Sequence, residues 1–468
     1  MYQYKSLLSS LAILLLATFT HGQDEQLVYE DEIYLDYIKS VKLNHKNLFT
    51  SLPIIDLNSS GKLILTFDDL EGVDKEYTYE IVHCDKDWKK SNISEIEYLE
   101  GFSSEEIDDI SFSINTYQEY SHYRLELPND EITWKLSGNY LLKVYETEYD
   151  KTLAITRRFM VVEPLVDVNA EMVKPRSVPK IDSHHEISFE VDTKDLLVRN
   201  ARSEIEVILM QNGRWDNMIT GVEPKIVRNN LLQFNYIDRF NFPALKEFRS
   251  FDIRSMEYAS GGVHSIDINQ DGIDILLGLD VSRLDKPFNS SIDVNGNFVV
   301  QTREYSRRSN NIVVSPGIPS ADTNADALIL RNLLQNVVNE NDAQENVYAD
   351  YANVIFGLDL RSELYEGDVY IIGKFTDWKL KEEYKLQFDS QNNIYVGEAF
   401  LKQGFYDYMY VLSTDRGTSL EALEGSWQET ENDYNIFVYY SEFGSRYDRL
   451  IGLANLNSNL IEINGGRN

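Results

Sequence analysis

The sequence predicts an all-β protein made of tandem antiparallel β-sandwiches. Short runs of alternating apolar and polar residues recur along most of its 468 residues, separated by Gly, Asn, Asp or Pro. Strands at this spacing, without long helical patterns between them, are typical of sandwiches. The 30 Tyr and 21 Phe residues can bury large areas in packed cores. The length allows roughly three domains of about 150 residues each.

Residues 1–22 are expected to be a secretory signal peptide and not part of the fold. Lys5 lies in a short start without acidic residues, and an apolar stretch at 11–19 follows it. Such a stretch is too short to span a bilayer. The mature chain is therefore expected to be exported, and the sequence contains no other run that predicts direct membrane insertion.

The formal net charge of −33, from 77 acidic and 44 basic residues, restricts the possible partners. A chain this acidic repels phosphate backbones and anionic lipid surfaces. We therefore expect no nucleic-acid partner, and we attribute the charge to solubility.

Cys84 is the single cysteine, so the chain cannot form an internal disulfide. It ends a predicted strand at Tyr77–Cys84 and shares one strand face with Val82. Free cysteines of this kind behave as small buried apolar residues. We expect an inert buried thiol and domains that are stabilised by packed cores alone.

The first sandwich is predicted over residues 23–163. Alternation at 63–67 leads into a turn around Asp68-Asp69. Further strands are expected at Tyr77–Cys84, 122–127, 140–145 and 156–162. Pro164 ends the unit, because Pro cannot continue a central ladder.

The second sandwich is predicted over residues 164–302. Its strands are expected at 166–172, 186–191 and 205–210, with hairpins at 266–277 and 291–301. The run at 205–210 is apolar at nearly every position, which indicates a buried strand. Asn212-Gly213 follows it and predicts a two-residue hairpin, because both residue types tolerate positive φ. Asn295-Gly296 gives the same signal in the last hairpin.

Arginine and aromatic side chains crowd the residues after Asn212-Gly213. They are Arg214, Trp215, Arg228, Phe234, Arg239, Phe240, Phe242, Phe248, Arg249, Phe251 and Arg254. Such residues are enriched at the centres of protein interfaces. They also form the core and rim of β-sandwiches. Both interpretations remain open from the sequence.

A linker or long insertion is predicted over residues 303–344, and the third sandwich over 345–455, followed by a tail at 456–468. The linker contains one candidate helix at 327–338, either docked or ordered on binding, with apolar residues near helical spacing. The third unit is expected to have strands at 369–372, 384–388, 395–400, 405–411 and 436–440.

The sequence gives no support for catalysis, a cofactor or a metal. No nucleophile elbow, zinc-protease motif or phosphate-binding loop occurs. Residues 267–272 match the start of a calcium loop, but Gly278 replaces the bidentate Glu, and a polar hairpin turn explains the same residues. His184 and His185 are adjacent on a strand, so they face opposite ways and cannot share a site without distortion. We therefore predict that the protein is not an enzyme.

The third unit has a pattern of its own. A strand leads into Gly373, Phe375 and Trp378, and a later aromatic strand covers 405–410. This pattern resembles early-set immunoglobulin-like modules of the glycogen-binding type. Carbohydrate modules stack sugars on exposed aromatics, so Trp378 and Trp427 are the candidate platforms. An exported carbohydrate-binding protein is therefore the alternative function.

Several stretches of the mature chain, taken in order, carry a wider resemblance. They are LPII at 52–55, LTFDDL at 65–70, IVHCDKDW at 81–88, YLEGF at 98–102, TRRFMVVEP at 156–164, QNGRWDN at 211–217, ENDY at 431–434 and RYDRLIG at 446–452. Together they resemble the type 9 secretion system plug proteins of Bacteroidota. The resemblance leaves out 303–344.

The resemblance implies a non-enzymatic periplasmic protein built from immunoglobulin-like sandwiches. Its partner would be a large outer-membrane β-barrel translocon, whose periplasmic opening it binds and seals. The largest barrels leave a wide lumen, and sealing one requires area and shape complementarity rather than a reactive residue. Trp88, Arg214 and Trp215 are candidate partner contacts, because Trp and Arg are enriched at interface centres.

Overall fold

The computed structural model describes residues 27–459, apart from 47, 49, 103, 148–150, 195, 271, 292 and 304–346. The predicted signal peptide at 1–22, the candidate helix at 327–338, nearly all of the predicted linker and most of the predicted tail lie outside the described residues. Strands dominate the described part, and its helices are short turns, which confirms the predicted all-β class.

The described strands are numbered in chain order. The first twelve are β1 Glu32–Ile33, β2 Ile38–His45, β3 Ile54–Asp56, β4 Leu63–Asp69, β5 Tyr77–Cys84, β6 Leu99–Gly101, β7 Ser104–Glu106, β8 Asp109–Phe112, β9 Ser121–Leu127, β10 Ile132–Trp134, β11 Gly138–Glu146 and β12 Thr152–Val162. The next seven are β13 Asp167–Val173, β14 His184–Asp192, β15 Ile205–Gln211, β16 Ile219–Val222, β17 Ile226–Arg228, β18 Leu231–Gln233 and β19 Asn241–Pro243.

The C-terminal half of the described chain adds thirteen more strands. They are β20 Arg249–Asp252, β21 Val263–Ile268, β22 Ile273–Leu277, β23 Asp280–Val281, β24 Phe298–Val300, β25 Tyr351–Asp359, β26 Asp368–Ile372, β27 Lys385–Asp389, β28 Ile394–Lys402, β29 Gly404–Thr414, β30 Gly417–Ser419, β31 Asp433–Tyr440 and β32 Arg449–Asn457. The helical turns are α1 Glu95–Tyr98, α2 Ala201–Glu204 and α3 Glu421–Glu424, with 3-10 turns at Val178–Lys180, Trp215–Asn217, Lys374–Thr376 and Glu382–Tyr384.

The first sandwich packs two sheets against each other. One sheet has the order β1-β12-β11-β5-β7, with β3 added beside β12, and the facing sheet has the order β2-β4-β9-β8. Between them lie Phe67, Tyr77 and Tyr123, whose ring centroids are 4.8–5.1 Å apart. Aromatic pairs at such distances stabilise a core beyond the area that they bury.

The second sandwich contains the last two strands of the described chain. One of its sheets has the order β13-β14-β18-β17, with β19 beside β14, and the other has the order β16-β15-β31-β32. β15 pairs with β31 along its whole length, from Ile205 opposite Tyr440 to Gln211 opposite Tyr434. The last strands of the predicted third unit, 345–455, are β31 and β32, and they therefore belong to the second sandwich.

The third sandwich is inserted between β19 and β31 of the second. Its strands follow the order β20-β29-β26-β27-β28-β25-β22-β21, with β23 beside β25 and with β24 and β30 beside β29. The second unit thus ends near β19 and does not extend to 302 as the sequence suggests. The reason is that this boundary depends on pairs such as Arg249 opposite Tyr408, which local patterns do not encode.

Two further turn predictions have different outcomes. Residues 266–277 form the predicted hairpin, β21–β22, with Ile268 opposite Ile273. Asn295 and Gly296 take the predicted positive φ values, 54° and 80°. However, β24 after this turn pairs with β29 and not with an upstream neighbour, so no local hairpin forms there.

The first and second sandwiches stack face to face, so their sheets form four layers. The outer face of β5, β11 and β12 packs against the outer face of β15, β31 and β32. This stacked interface buries Val82, Cys84, Trp88, Leu141, Met160, Val162, Ile208, Met210, Phe437, Tyr439 and Leu450. The stacking explains the apolar run at 205–210, because a strand covered on both faces needs apolar residues at odd and even positions.

Candidate functional site at the junction of the three sandwiches

Asn212-Gly213 ends β15 and directs the chain toward the first sandwich. Both residues have the predicted positive φ, 54° and 63°. The returning strand β16 begins only at Ile219, so the predicted two-residue hairpin is a longer connection that contains a 3-10 turn. A Cβ atom on Gly213 would lie 2.7 Å from Leu52 Cδ2, so glycine permits this close approach. The connection carries Arg214 and Trp215 to the place where the sandwiches meet.

We call the side chains at this place the junction cluster. They come from all three sandwiches and alternate between aromatic rings and charged groups. The first sandwich contributes Asp31, Trp88 and Arg158, the second Arg214 and Trp215, and the third Lys374 and Trp378.

Arg158 lies between two tryptophans of different sandwiches. Its guanidinium carbon is 5.3 Å from the ring centroid of Trp88 and 4.4 Å from that of Trp215. The two indoles meet edge to face, 5.1 Å apart. Cation–π contacts that are shielded from water contribute about 2 kcal/mol or more each. This arrangement therefore links the first sandwich to the second.

Asp31 connects the same group to the third sandwich. Its carboxylate accepts hydrogen bonds from Trp215 Nε1 at 3.1 Å and from the Arg158 backbone N–H at 2.7 Å. Lys374 Nζ lies 3.8 Å away. Burial opposes ionisation of Asp31, but Arg158, Lys374 and Arg157 outweigh it and lower its pKa. The Asp31 carboxylate therefore interacts with cationic side chains from two sandwiches.

Trp378 completes the cluster from the third sandwich. The guanidinium carbon of Arg214 lies 4.8 Å from the Trp378 ring centroid, and two of its nitrogens bind Asp216. Phe248 meets the same indole edge to face, with ring centroids 5.8 Å apart. Arg214 is thus held by both partners, and its side chain is buried.

The residues that the sequence singles out fall into two groups. Trp88, Arg214 and Trp378 are buried, and Trp215 is half-buried, so their side chains make contacts within the chain. They do occupy the centre of an interface, but it is the one between this chain's own sandwiches. Trp427 is 40% exposed and stacks parallel to Phe288 at 6.3 Å. Of the two candidate sugar platforms, only Trp427 faces solvent.

A second contact between the first and third sandwiches surrounds Asp68. Its carboxylate binds His122 Nδ1, Tyr351 Oη and Lys402 Nζ, each at 2.6 Å. Asp68 is 0% exposed and Lys402 1%. Burial opposes ionisation of Asp68, but Lys402 and His122 lower its pKa. The predicted turn at Asp68 is wrong, because Asp68 lies within β4 and pairs with His122 of β9. Local sequence also does not indicate this contact, because Lys402 lies 334 residues further along the chain.

Cys84 lies inside the stacked interface, as a buried thiol should. Burial raises its pKa to about 12. At pH 7 the thiolate fraction is then roughly 10⁻⁵, so we expect no reaction with Ellman's reagent in the native state. Labelling in urea is the positive control. Rapid labelling of the native protein would contradict the stacking of the first two sandwiches.

A loop between β31 and β32, residues 441–448, carries exposed apolar surface. We call it the tip loop. Hydrogen bonds hold both ends of the loop. Ser441 N–H donates to Glu204 O at 2.8 Å, and the Asp448 carboxylate accepts a hydrogen bond from Lys86 N–H at 3.0 Å. Arg446 forms an ion pair with Glu97 of the first sandwich. Near this pair, Phe443 is 82% exposed and Ile96 is 78% exposed.

The described residues offer no metal centre, since no three of their His, Cys, Asp or Glu side chains are arranged to hold an ion. His185 binds Tyr434 Oη and Gln428 O, while His184 binds Ser183 Oγ. The two histidines therefore have separate partners. None of the described helices has the length and apolar character to cross a membrane.

Comparisons with known proteins connect this chain to a family model and to solved structures. Residues 38–163 match the family model described as the type 9 secretion system plug protein 1st domain. The crystal structure of a hypothetical protein from Parabacteroides merdae is similar to this structure, with a TM-score of 0.79. The two sequences are 28% identical, and the match covers 92% of this chain and 100% of the Parabacteroides chain. No curated protein matches. The family match spans the first sandwich from β2 to the end of β12.

Proposed function

Because the first sandwich belongs to the family of type 9 secretion system plug protein first domains, we propose that the chain is a plug that binds and seals the periplasmic opening of the outer-membrane translocon. Its partner in this proposal is a large outer-membrane β-barrel, and its location is the periplasm. It carries out no reaction and uses no cofactor. The family match over 38–163 is the observation that carries the proposal.

The architecture supports this role. A plug has to block a wide lumen, and this needs a body that does not deform. The first two sandwiches share the stacked interface, the Asp68 contact joins the first to the third, and the junction cluster joins all three. Such buried contacts favour movement of the chain as one body, which suits sealing and complete removal.

The test is an affinity pull-down of the tagged full-length protein from gently solubilised cell envelopes, with mass spectrometry. We expect one very large outer-membrane barrel to be recovered. Recovery of no barrel, together with retention on a glycan resin, would reject the plug and favour the alternative carbohydrate-binding protein. In that case retention should be lost in Trp427→Ala, because Trp427 is the exposed platform.

A substitution in the tip loop, used in the same pull-down, tests which surface of the protein contacts the barrel. Exposed apolar side chains are common anchors of protein interfaces. We propose that Phe443 is such an anchor and expect Phe443→Asp to reduce recovery of the barrel at least tenfold, which corresponds to about 1.4 kcal/mol. Tyr365→Asp is the matched control, because Tyr365 is 98% exposed on the third sandwich. Equal recovery with both variants would remove the tip loop from the contact.

A further inference from the structure

One sheet of the third sandwich exposes apolar side chains on the face that points away from its core. Ile275 of β22 and Val354 of β25 point into the core and are fully buried. Because successive side chains of a strand point to opposite faces, their neighbours Leu276 and Ile355 lie on the outer face. These two residues are Cα partners in the parallel pair of β22 and β25. We call the outer face of β22, β23, β25, β28 and β27 the open face.

The centre of the open face is apolar. Leu276 is 39% exposed, Leu279 57% and Val281 41%. Leu279 lies over β25, because a Cβ atom on Gly357 would be 3.1 Å from Leu279 Cδ1. Val396 is the Cα partner of Gly357 in the next strand, β28, and completes this centre. Outward positions of a sheet that faces water are normally polar, so an apolar centre of this kind indicates a binding surface.

Carboxylates border the apolar centre. Five acidic residues lie on this border: Asp267 and Asp274 at one end, Glu398 at one side, and Asp359 and Asp389 at the other end. Lys385 and Arg361 lie on the same border, but Lys385 Nζ is already paired with Asp368 at 2.9 Å. The border is therefore acidic on balance, and it favours a partner with lysine or arginine.

A shallow depression of about 450 Å³ lies on the open face along β27 and β28. Val396 and Gln387, which are Cα partners, line it together with Glu398 and Asp389. The lining therefore combines an apolar side chain of the centre with two carboxylates of the border. Anchor residues of protein interfaces enter pockets of this kind, and a lysine side chain with its apolar stem suits this one.

The dimensions of the open face match one short helix. The face extends over positions 353–359 of β25, which is about 20 Å at roughly 3.3 Å per residue. The strands β22, β25, β28 and β27 lie side by side, and at about 4.8 Å between strands they give a width of about 14 Å. A helix is about 10–12 Å in diameter and rises about 1.5 Å per residue, so about 13 residues span the face. Helices are elements that commonly cover the apolar face of a sheet.

We propose that the open face binds an amphipathic helix of a partner protein, with lysine or arginine residues on both sides of the apolar stripe of that helix. The stripe packs on Leu276, Leu279 and Ile355, while the cations reach the carboxylates of the border. The apolar centre and its acidic border together carry this inference. It goes beyond the sealing function and does not depend on it, because the tip loop belongs to the second sandwich.

The full-length protein and a designed peptide test the proposal. The peptide has about 14 residues, with leucine at helical spacing and lysine at the other positions, and a second peptide has glutamate in place of lysine. Fluorescence anisotropy of the labelled peptides measures binding. We expect saturable binding of the lysine peptide, at least tenfold weaker binding of the glutamate peptide, and a loss of affinity as the salt concentration rises.

Leu279→Asp separates the apolar contact from simple charge attraction. The variant makes the protein more acidic, which favours a cationic peptide, but it places a charge in the apolar centre. We expect at least tenfold weaker binding of the lysine peptide to this variant. Phe443→Asp is the matched control, because it adds the same charge at another apolar residue, which is 82% exposed in the tip loop. It should bind the lysine peptide as wild type does.

Leu279→Cys shows whether the peptide covers the open face. Cys84 is buried, so the variant has one thiol that reacts readily with a maleimide. We expect rapid labelling of the free protein. Labelling should become at least tenfold slower when the lysine peptide is present in saturating amounts, because the bound peptide shields the new thiol.

Equal binding of the lysine peptide to wild type and to Leu279→Asp would overturn the proposal, because charge alone would then attract the peptide. No binding to wild type, or labelling of Leu279→Cys that the peptide does not slow, would also overturn it. Slow labelling of the free protein would reject a partner protein as the occupant as well. It would assign the open face to a second copy of the chain if dilution made labelling faster, and to another part of the same chain if dilution had no effect.

Discussion

Replacement of Asp68 by alanine is expected to separate the first and third sandwiches under conditions in which the wild-type chain stays intact. The change leaves Lys402 buried without its carboxylate and removes the acceptor of Tyr351 and His122. Removal of one partner from a buried ion pair costs about 3–5 kcal/mol. Scanning calorimetry should show a lower transition for the third sandwich, and small-angle X-ray scattering should show a larger radius of gyration.

Lys39→Ala is the matched control at the same interface. Lys39 pairs with Glu383 across the first and third sandwiches at 3.3 Å, but both side chains are partly exposed. Such surface pairs contribute about 0–1 kcal/mol. If Asp68→Ala and Lys39→Ala shifted the transition equally, the buried contact would contribute no more than the surface pair, and our account of this interface would be wrong.

Gly296→Ala is expected to have the second large effect, because it affects the backbone and the junction at once. Gly296 has a φ of 80°, where a side chain costs roughly 1–2 kcal/mol. A Cβ atom there would lie 2.2 Å from Trp378 Cη2 and 2.7 Å from Phe248 Cε1. Overpacking of this kind adds about 1–3 kcal/mol. Urea unfolding of the variant should show a lower midpoint, and the emission of Trp378 should shift as its pocket opens.

Gly444→Ala separates the two causes. Gly444 has a similar φ of 86°, but nothing lies within 4 Å of its Cβ position. It should therefore show the backbone cost alone. A loss of stability in Gly444→Ala as large as that in Gly296→Ala would mean that contact with Trp378 is unimportant.

Local patterns predict the strands of this protein well, because the forces that they report are local. The turn at Asn212-Gly213 forms because both residues accept positive φ, and the run at 205–210 is buried as its composition indicates. The same patterns do not predict which sandwich a strand joins. β31 has the composition of a buried strand, but only its pairing with β15 assigns it to the second sandwich.

At the junction cluster, local patterns likewise do not predict which groups an individual side chain contacts. Trp88, Arg214 and Trp215 are identified from the sequence as residues typical of an interface, and they do lie at one. The sequence cannot tell that their partners belong to the same chain, because exposure depends on the packing of whole domains. Asp68 is missed for a related reason, since a buried acid is recognised only by what surrounds it.

The insertion of the third sandwich into the second sets an order of assembly. β15 is complete at residue 211, but its partner β31 begins at 433, so one sheet of the second sandwich stays unfinished until the end of the chain arrives. Contacts of such long range are slow to form. The first and third sandwiches can fold before β31 pairs with β15 and completes the second sandwich. A chain truncated before residue 433 would retain β15 with an unpaired apolar edge, and such an edge promotes aggregation.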